Sequence, residues 1–289
     1  MTWTQQKTAS VLVSCLMAIV LPVCGMAKEP LRICAEPDNL PFSNEKGEGF
    51  ENKIAEVLAK DLGMTLEYTF LREKKGFLRQ TLNANRCDVV IGVPSQLERV
   101  RKTQPYYRST YAIVTRKDRQ LGLKSYDDPS WAGLKIGLHT IGDDGSNSPP
   151  AHVLGHHHLG ANVLGYPLWG AEDEKDPQGE VVRAVAEKKI DAAIVWGPFA
   201  GYFAKPYGKT LVVRPAPSDL ELPDQLMAWD IAMAVRKDDE VLQAKLNKSL
   251  ERQSKKIQQI LKDYHVPLEP MKVVATPATS LPIKPKDQD

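Results

Sequence analysis

Basic and hydroxyl side chains follow the apolar run CDVVIGVP, which begins at Cys87. Ser95 stands four residues before Arg99, and its spacing to Glu98 matches a capping box, so we expect a helix to begin at Ser95. The planar guanidinium of an arginine can donate two parallel hydrogen bonds to a carboxylate. Because ligands of open α/β sheets bind beyond the carboxyl ends of strands, Ser95 and Arg99 are candidates for holding a small anion. A solvated surface charge is the plain alternative for Arg99.

A second group with possible chemistry is the histidine-rich stretch HVLGHHHLG, in which His152 and His156 are one helical turn apart. Zinc or copper can be bound at this spacing. Adjacent histidines point in different directions, however, and Gly155 and Gly160 interrupt the helix that would hold them. The pattern favours a solvated, pH-sensitive patch over a metal site, and we predict no metal and no cofactor.

Other catalytic patterns do not stand out in the sequence. Neither a Ser-His-Asp triad, a Cys-His pair nor a spaced pair of carboxylates rises above background. We therefore predict a non-enzymatic protein without catalytic residues. A metal-dependent hydrolase built around His152 is the least favoured of the functions considered.

The polar loop GDDGSNSPP, which begins at Gly142, precedes a predicted helix. Backbone amides at such a helix start can hold an anion, although Asp143 would oppose a strongly anionic ligand. Ser148 as N-cap with Pro149 at the first helical position explains the same residues structurally. Both interpretations remain open, and Asp143 and Ser146 are kept as candidate cleft residues.

The start of the chain has the features of a secretory signal. Lys7 precedes the apolar run 9–23, which is too short to span a membrane, and small residues lead to a predicted cleavage after Ala27. Lipidation of Cys24 is disfavoured because the preceding Val23 is not small. We therefore predict a periplasmic protein without a membrane anchor.

Export determines how the remaining cysteines are interpreted. Cys34 and Cys87 would remain in an oxidising compartment, where one disulfide is the favoured outcome and two buried free thiols are the alternative. The formal net charge of the whole chain is only +2, which argues against nucleic acid or a membrane surface as a partner.

Strand and helix patterns alternate along the chain in two series. Residues 50–62 have helical spacing that stops at Gly63, between apolar runs typical of buried strands. Such alternation indicates βαβ units with a parallel sheet in each series. A last strand over 231–239 and a single long helix over 241–263 would have to return to the first series.

The predicted fold is therefore α/β, with two lobes joined by two crossing segments. These segments are expected near 108–111 and 228–231. The predicted organisation is a signal peptide over 1–27, a first lobe over 28–109 plus 231–271, a second lobe over 110–230 and a flexible tail over 272–289.

The order of elements and the motif at Ser95 resemble the amino-acid-binding branch of the two-lobed, type II periplasmic binding proteins. The matching motifs are Ser95 to Arg99, Pro105-Tyr106-Tyr107 and Gly49-Phe50-Glu51. In that branch the arginine holds the ligand carboxylate, so the resemblance assigns this role to Arg99. The acid that holds the ligand ammonium in the second lobe is replaced here by Trp196. The amino-acid clamp is thus half present.

A narrower resemblance covers residues 31 to about 270. The segments CAEPDNLPFSN, CDVVIGVP, GDDGSNSPPAH and WDIAMAVRKDD are similar to the MxaJ/XoxJ type of binding-protein-like periplasmic proteins, which are associated with quinoprotein methanol dehydrogenases. The resemblance implies an accessory role in methanol oxidation, by docking to or assisting the maturation of a periplasmic PQQ-dependent methanol dehydrogenase. We expect a monomer. The alternative is a solute receptor that delivers a small organic acid or cofactor to an ABC transporter, and a small organic ligand in the cleft is left open.

The candidate cleft residues come from both lobes and include the aromatic side chains near the crossing segments. They are Asn39, Phe42, Phe50, Ser95, Arg99, Tyr106, Tyr107, Asp143, Ser146, Trp196, Trp229 and Asp230.

Overall fold

The computed structural model describes residues 1, 28–140, 148–170 and 176–271 of the chain. The predicted signal peptide, the candidate residues Asp143 and Ser146 and the predicted tail lie outside these described residues. Within the described residues, no helix combines the length and the apolar composition that crossing a bilayer requires.

Strands and helices alternate through both halves of the described chain. The strands are β1 (Pro30–Ala35), β2 (Asp38–Asn39), β3 (Ser43–Asn44), β4 (Thr65–Phe70), β5 (Val89–Pro94), β6 (Arg101–Lys102), β7 (Tyr107–Arg116), β8 (Ile136–Thr140), β9 (Val163–Pro167), β10 (Ala192–Trp196), β11 (Leu211–Pro215) and β12 (Ala228–Val235). The helices are α1 (Phe50–Leu62), α2 (Phe77–Gln80), α3 (Pro149–His156), α4 (Glu180–Ala186), α5 (Gly197–Ala204), α6 (Glu240–Arg252) and α7 (Ser254–Asp263).

One sheet runs through both halves, with the strand order β4-β1-β5-β12-β7-β10-β8-β9. β1 pairs in parallel with β4 and β5, and β8 pairs in parallel with β9 and β10. We use "first lobe" for β1–β6 with α1, α2, α6 and α7, and "second lobe" for β8–β11 with α3–α5. The two strands β7 and β12 join the lobes.

The joining strands pair with each other where they pass between the lobes. Ile231 to Ala228 of β12 lie opposite Tyr107 to Thr110 of β7 in an antiparallel ladder. Beyond this ladder β7 pairs with β10 and β11 of the second lobe, whereas β12 pairs with β5 and β6 of the first. The exact lobe boundaries stay a prediction.

Helix α1 confirms the helix predicted over 50–62. Its apolar side chains Phe50, Ile54 and Leu58 are at most 1% exposed and pack into the core of the first lobe. Gly63 ends the helix in the left-handed conformation, with φ of 70°. A residue without a Cβ adopts this conformation at little cost, so the stop is encoded locally.

The single long helix predicted at the end of the fold is wrong, because the chain breaks it at Gln253 into α6 and α7. Asp61 of α1 accepts hydrogen bonds from Ser249 Oγ at 2.7 Å and from Gln253 Nε2 at 2.8 Å. These bonds tie the break to α1, and both shorter helices pack against α1.

The helix predicted to begin at Ser95 is also wrong, because residues 95–99 form turns. Few residues separate β5 from β6, and both of these strands pair with β12. The Ser95 amide donates to the carbonyl oxygen of Asp230 at 2.9 Å, so the ladder extends past β5 and leaves no length for a helix.

Candidate functional site

Two adjoining cavities lie between the lobes. They have volumes of about 330 Å³ and about 270 Å³, and Phe42, Gly92 and Trp196 contribute to both walls. We call the larger one the acidic cavity, because Glu36, Glu51 and Glu73 line it, and the smaller one the aromatic cavity. Both volumes are close to the lower end of the range for small-molecule sites.

The aromatic cavity is built where the lobes join. Tyr111 of β7, Trp196 at the end of β10 and Trp229 of β12 form a triangle of rings with centroids 5.5–5.9 Å apart. Their edge-to-face arrangement is the one that aromatic quadrupoles favour. Tyr107 and Pro149 complete parts of the same wall. Trp196 and Trp229 are among the predicted cleft residues, whereas Tyr111 is not.

Glu36 directly follows β1, at the carboxyl end of a parallel strand, and its residue is 5% exposed. Oε1 accepts a hydrogen bond from Nε1 of Trp169 at 3.1 Å, and Oε2 accepts one from the backbone amide of Glu73. Burial raises the pKa of the Glu36 carboxyl to about 7, because the two hydrogen bonds only partly offset the loss of hydration.

Glu51 lies in the first turn of α1, and its carboxylate packs against Gly92 of β5. A Cβ at Gly92 would be 1.9 Å from Glu51 Oε1, and Gly92 has φ of +83°, so only glycine fits here. The Glu51 carboxylate has no hydrogen-bond partner among the described residues. Burial, helped by the charge of Glu73, raises the Glu51 pKa well above its usual value.

The lobes touch through their own side chains across the cleft. Nε2 of Gln178 donates to the carbonyl oxygen of Asp38 at 2.7 Å, and the rings of Phe42 and Phe199 are 5.1 Å apart. Nε2 of the buried His139 donates in turn to the carbonyl oxygen of Gln178 at 2.9 Å, which fixes the proton on that nitrogen. Burial lowers the pKa of His139 to about 4, so its ring is neutral at neutral pH.

The other predicted cleft residues include residues that line the cavities, residues buried in the core and one paired acid. Asn39 lines the acidic cavity and Tyr107 lines the aromatic one, whereas Phe50 and Tyr106 are buried in the core of the first lobe. Asp230 forms an ion pair with Arg108, with 3.1 Å between Oδ1 and Nη1. Its negative charge is therefore neutralised within the joining strands.

Arg99 is exposed and lies in the turns after β5. Its guanidinium makes no hydrogen bond or ion pair with any residue that the structure describes, and it lines neither cavity. Ser95 is half-buried in the same turns and is likewise absent from both walls. The role that the resemblance assigns to Arg99 stays a prediction.

No histidine of the histidine-rich stretch contributes to the described wall of either cavity. Nδ1 of His157 is 3.0 Å from Oδ1 of Asp127 and its Nε2 is 2.9 Å from Oδ2 of Asp219, while Nε2 of His156 is 2.7 Å from Oε2 of Glu221. Among the described residues, no group of three or more His, Cys, Asp or Glu is arranged to hold a metal ion. The acids that pair with these rings could not be identified from the neighbouring sequence, because they come from distant segments of the chain.

Cys34 and Cys87 form a disulfide, which confirms the predicted pairing. Cys34 lies in β1 and Cys87 just before β5, two strands that pair in parallel. Cys34 also contributes to the wall of the acidic cavity. The bond therefore holds together the two strands whose carboxyl ends form the floor of the cleft.

The acids that line the cleft, Glu36, Glu51 and Glu73, are not among the predicted site residues. Glu36 had a usable signal, because it directly follows a predicted parallel strand, where ligands of open sheets bind. Glu51 was noted only as part of a motif. Trp169 and Gln178 had no local signal, because their contacts depend on how closely the lobes approach each other.

The chain matches known proteins over most of its length. The model of the family "bacterial extracellular solute-binding proteins, family 3" matches residues 31–267. Protein MoxJ of Methylorubrum extorquens strain AM1 is 32% identical over 253 residues, which are 83% of this chain and 82% of that protein.

Two solved structures have the same architecture. The periplasmic binding protein XoxJ from Methylobacterium extorquens AM1 is 35% identical, with a TM-score of 0.68. MxaJ from Methlophaga aminisulfidivorans MPT is 27% identical, with a TM-score of 0.72. Each match covers 83% of this chain and 100% of the other chain. The likeness confirms the predicted two-lobed, type II binding-protein fold.

Proposed function

The chain belongs to family 3 of the bacterial extracellular solute-binding proteins and, within it, to the group of MoxJ, MxaJ and XoxJ, and from this premise we propose that it is a periplasmic accessory protein of methanol oxidation. In this role it docks to a PQQ-dependent methanol dehydrogenase or assists the maturation of that enzyme. The observation that carries the proposal is the similarity to MoxJ, at 32% identity over 83% of the chain.

The cleft supports docking over delivery of an amino acid. A receptor of this fold needs a cation for the ligand carboxylate, yet the described lining of both cavities contains no Lys, Arg or His. The lobes are already in contact through Phe42 and Phe199 and through Gln178 and Asp38. A protein used for docking can keep its lobes closed in this way, whereas a transport receptor must open to load its solute.

Retention of the dehydrogenase tests the proposal directly. The mature chain is immobilised and exposed to purified PQQ-dependent methanol dehydrogenase from the same bacterium, with an amino-acid receptor of the same family as the control bait. We expect specific retention, and lower dehydrogenase activity in a strain that lacks the chain. Absence of both effects would overturn the accessory role.

A solute receptor for an ABC transporter is the second candidate, because the cleft retains two cavities of ligand size. This candidate predicts that the strain lacking the chain loses uptake of a small organic acid or cofactor while its dehydrogenase activity is unchanged. Release of the protein by osmotic shock and a monomeric elution volume would support the periplasmic location and the monomeric state that both candidates require.

A further inference from the structure

We propose that the cleft binds a small organic cation, an amine or a methylated ammonium, held between the rings of the aromatic cavity and the carboxylate of Glu51. This inference goes beyond the accessory role, since docking to a dehydrogenase requires no ligand in the cleft. Three independent features support it: the charges of the walls, the arrangement of the rings and the unpaired state of Glu51.

The charged side chains in the described walls are all acidic. Glu36, Glu51 and Glu73 line the acidic cavity, and the aromatic cavity has no charged lining residue among those described. An anion entering this space would lose its hydration and find no cationic side chain in the described walls to replace it. A cation beside these carboxyl groups would favour their ionised form and pair with it, so the walls select a cationic ligand.

The rings provide the second part of the site. Trp196 contributes to both cavities, and Tyr111 and Trp229 lie within 6 Å of it, centroid to centroid. An ammonium group is attracted to the face of an indole or phenol ring, with the strongest effect for tryptophan and for desolvated sites. Trp196 therefore gives the second-lobe side of the cleft a ring that can hold a cation.

Glu51 provides the anionic part. Its half-buried carboxylate has lost much of its hydration but has no hydrogen-bond donor in the described structure. Glu51 lines the acidic cavity, and its carboxylate packs against Gly92, which contributes to the walls of both cavities. An ammonium donor would supply the missing partner, and its positive charge would favour the ionised form of this carboxyl group.

Glu36 does not offer the same opportunity. Both of its carboxylate oxygens already accept hydrogen bonds, from Trp169 and from the amide of Glu73. Arg99, which would hold the carboxylate of an amino acid, is exposed and lines neither cavity. The structure thus assigns to the cleft an amine without a carboxylate rather than an amino acid.

Calorimetric titration of the mature protein with butylammonium chloride, tetramethylammonium chloride and sodium butyrate tests the proposal. Butyrate has nearly the size of butylammonium but the opposite charge. We expect at least one ammonium salt to bind at millimolar concentration or below and butyrate not to bind. Binding of butyrate as tight as that of the ammonium salts, or no binding of either ammonium salt, would overturn the proposal.

Variants locate the site. Glu51→Gln keeps the shape of the side chain and should weaken ammonium binding at least tenfold, and Trp196→Leu should weaken it independently. Arg99→Ala is the matched control and should bind as the wild type does. Unchanged affinity in both Glu51→Gln and Trp196→Leu, with thermal unfolding showing folded proteins, would refute the site. Dehydrogenase retention is measured separately, so the accessory role can fail while the ligand site stands, and the reverse.

Discussion

Nε1 of Trp169 donates a hydrogen bond of 3.1 Å to Oε1 of Glu36, and this bond crosses from the second lobe to the first. The acceptor is a carboxyl group that burial makes hard to ionise. A neutral carboxyl still accepts from the indole, so the contact survives protonation. Raising the pH ionises the Glu36 carboxyl. Burying this negative charge costs free energy, which destabilises the closed arrangement of the lobes.

Replacement of Glu36 by Gln should change the pH dependence of stability. The folded pKa of Glu36 is about 7 against an ordinary value of 4.5, so the folded state binds a proton that the unfolded state has released between these values. The free energy of unfolding therefore falls as pH rises from about 4.5 to about 7, by at most about 3 kcal/mol from this group. Urea unfolding at pH 5, 6, 7 and 8 should show a flatter profile for Glu36→Gln.

The slope is the quantity to compare, because glutamine keeps one acceptor oxygen and loses the other, which lowers stability at every pH. Glu45→Gln serves as the control, since Glu45 is an exposed residue of the same lobe. An identical pH profile for wild type and Glu36→Gln would show that Glu36 is not the group that titrates.

Reduction of the Cys34–Cys87 bond should destabilise the protein strongly. The bond closes a loop with a sequence separation of 53, for which the chain-entropy model gives about 4 kcal/mol. We expect dithiothreitol to lower the urea midpoint of the wild type and to leave the double variant Cys34→Ala/Cys87→Ala unaffected. Intact mass after alkylation without reductant should show no free thiol; two alkylated thiols would contradict the bond.

The sequence predicted those elements whose causes are local. Helix α1 follows from the spacing of its apolar residues and from Gly63, both of which are visible in one window. Helix α5 was missed, because its sequence GPFAGYFA contains two glycines and nearly all its residues are buried, so it has no polar face to reveal a period. The turns at Ser95 were predicted as a helix, because the pairing of β5 and β6 with β12 is not local.

The residues of the candidate site divide in the same way, into those with a local signal in the sequence and those without one. Trp196 and Trp229 could be placed near the cleft because they stand next to strand ends and crossing segments. The bond between Glu36 and Trp169 joins residues 133 positions apart and depends on the distance between the lobes. The distance between the lobes cannot be inferred from the periodicity or the spacing of residues in the sequence.

Replacement of Asp61 by Asn should weaken the attachment of the last two helices. Asp61 accepts from Ser249, Arg252 and Gln253, and these bonds outweigh burial and lower its pKa to about 2. A pKa below the ordinary value means stability that is present above about pH 4 and is lost as pH falls towards 2. Because the Arg252 partner is exposed, we expect a loss of about 1 kcal/mol at pH 7 and a smaller loss at pH 3 by urea unfolding.

Glu56→Gln is a matched control for Asp61→Asn, because Glu56 is on the same helix and its one ion pair among the described residues is with the partly exposed Lys53. We expect no measurable change for this control. Equal losses in the two variants would mean that the bonds of Asp61 to the break between α6 and α7 contribute nothing specific.

Replacement of Arg99 by Ala distinguishes the accessory role from a receptor for small acids. The exposed guanidinium has no partner in the described part of the chain, so stability and retention of the dehydrogenase should both be unchanged. In a carboxylate receptor the same change would remove a charge-assisted pair of hydrogen bonds and about 2 kcal/mol of affinity for the acid.

Arg108→Ala is the informative comparison: it leaves the mostly buried Asp230 without its ion-pair partner and should cost about 2 kcal/mol of stability. Loss of dehydrogenase retention in Arg99→Ala alone would instead assign the docking surface to the turns that follow β5.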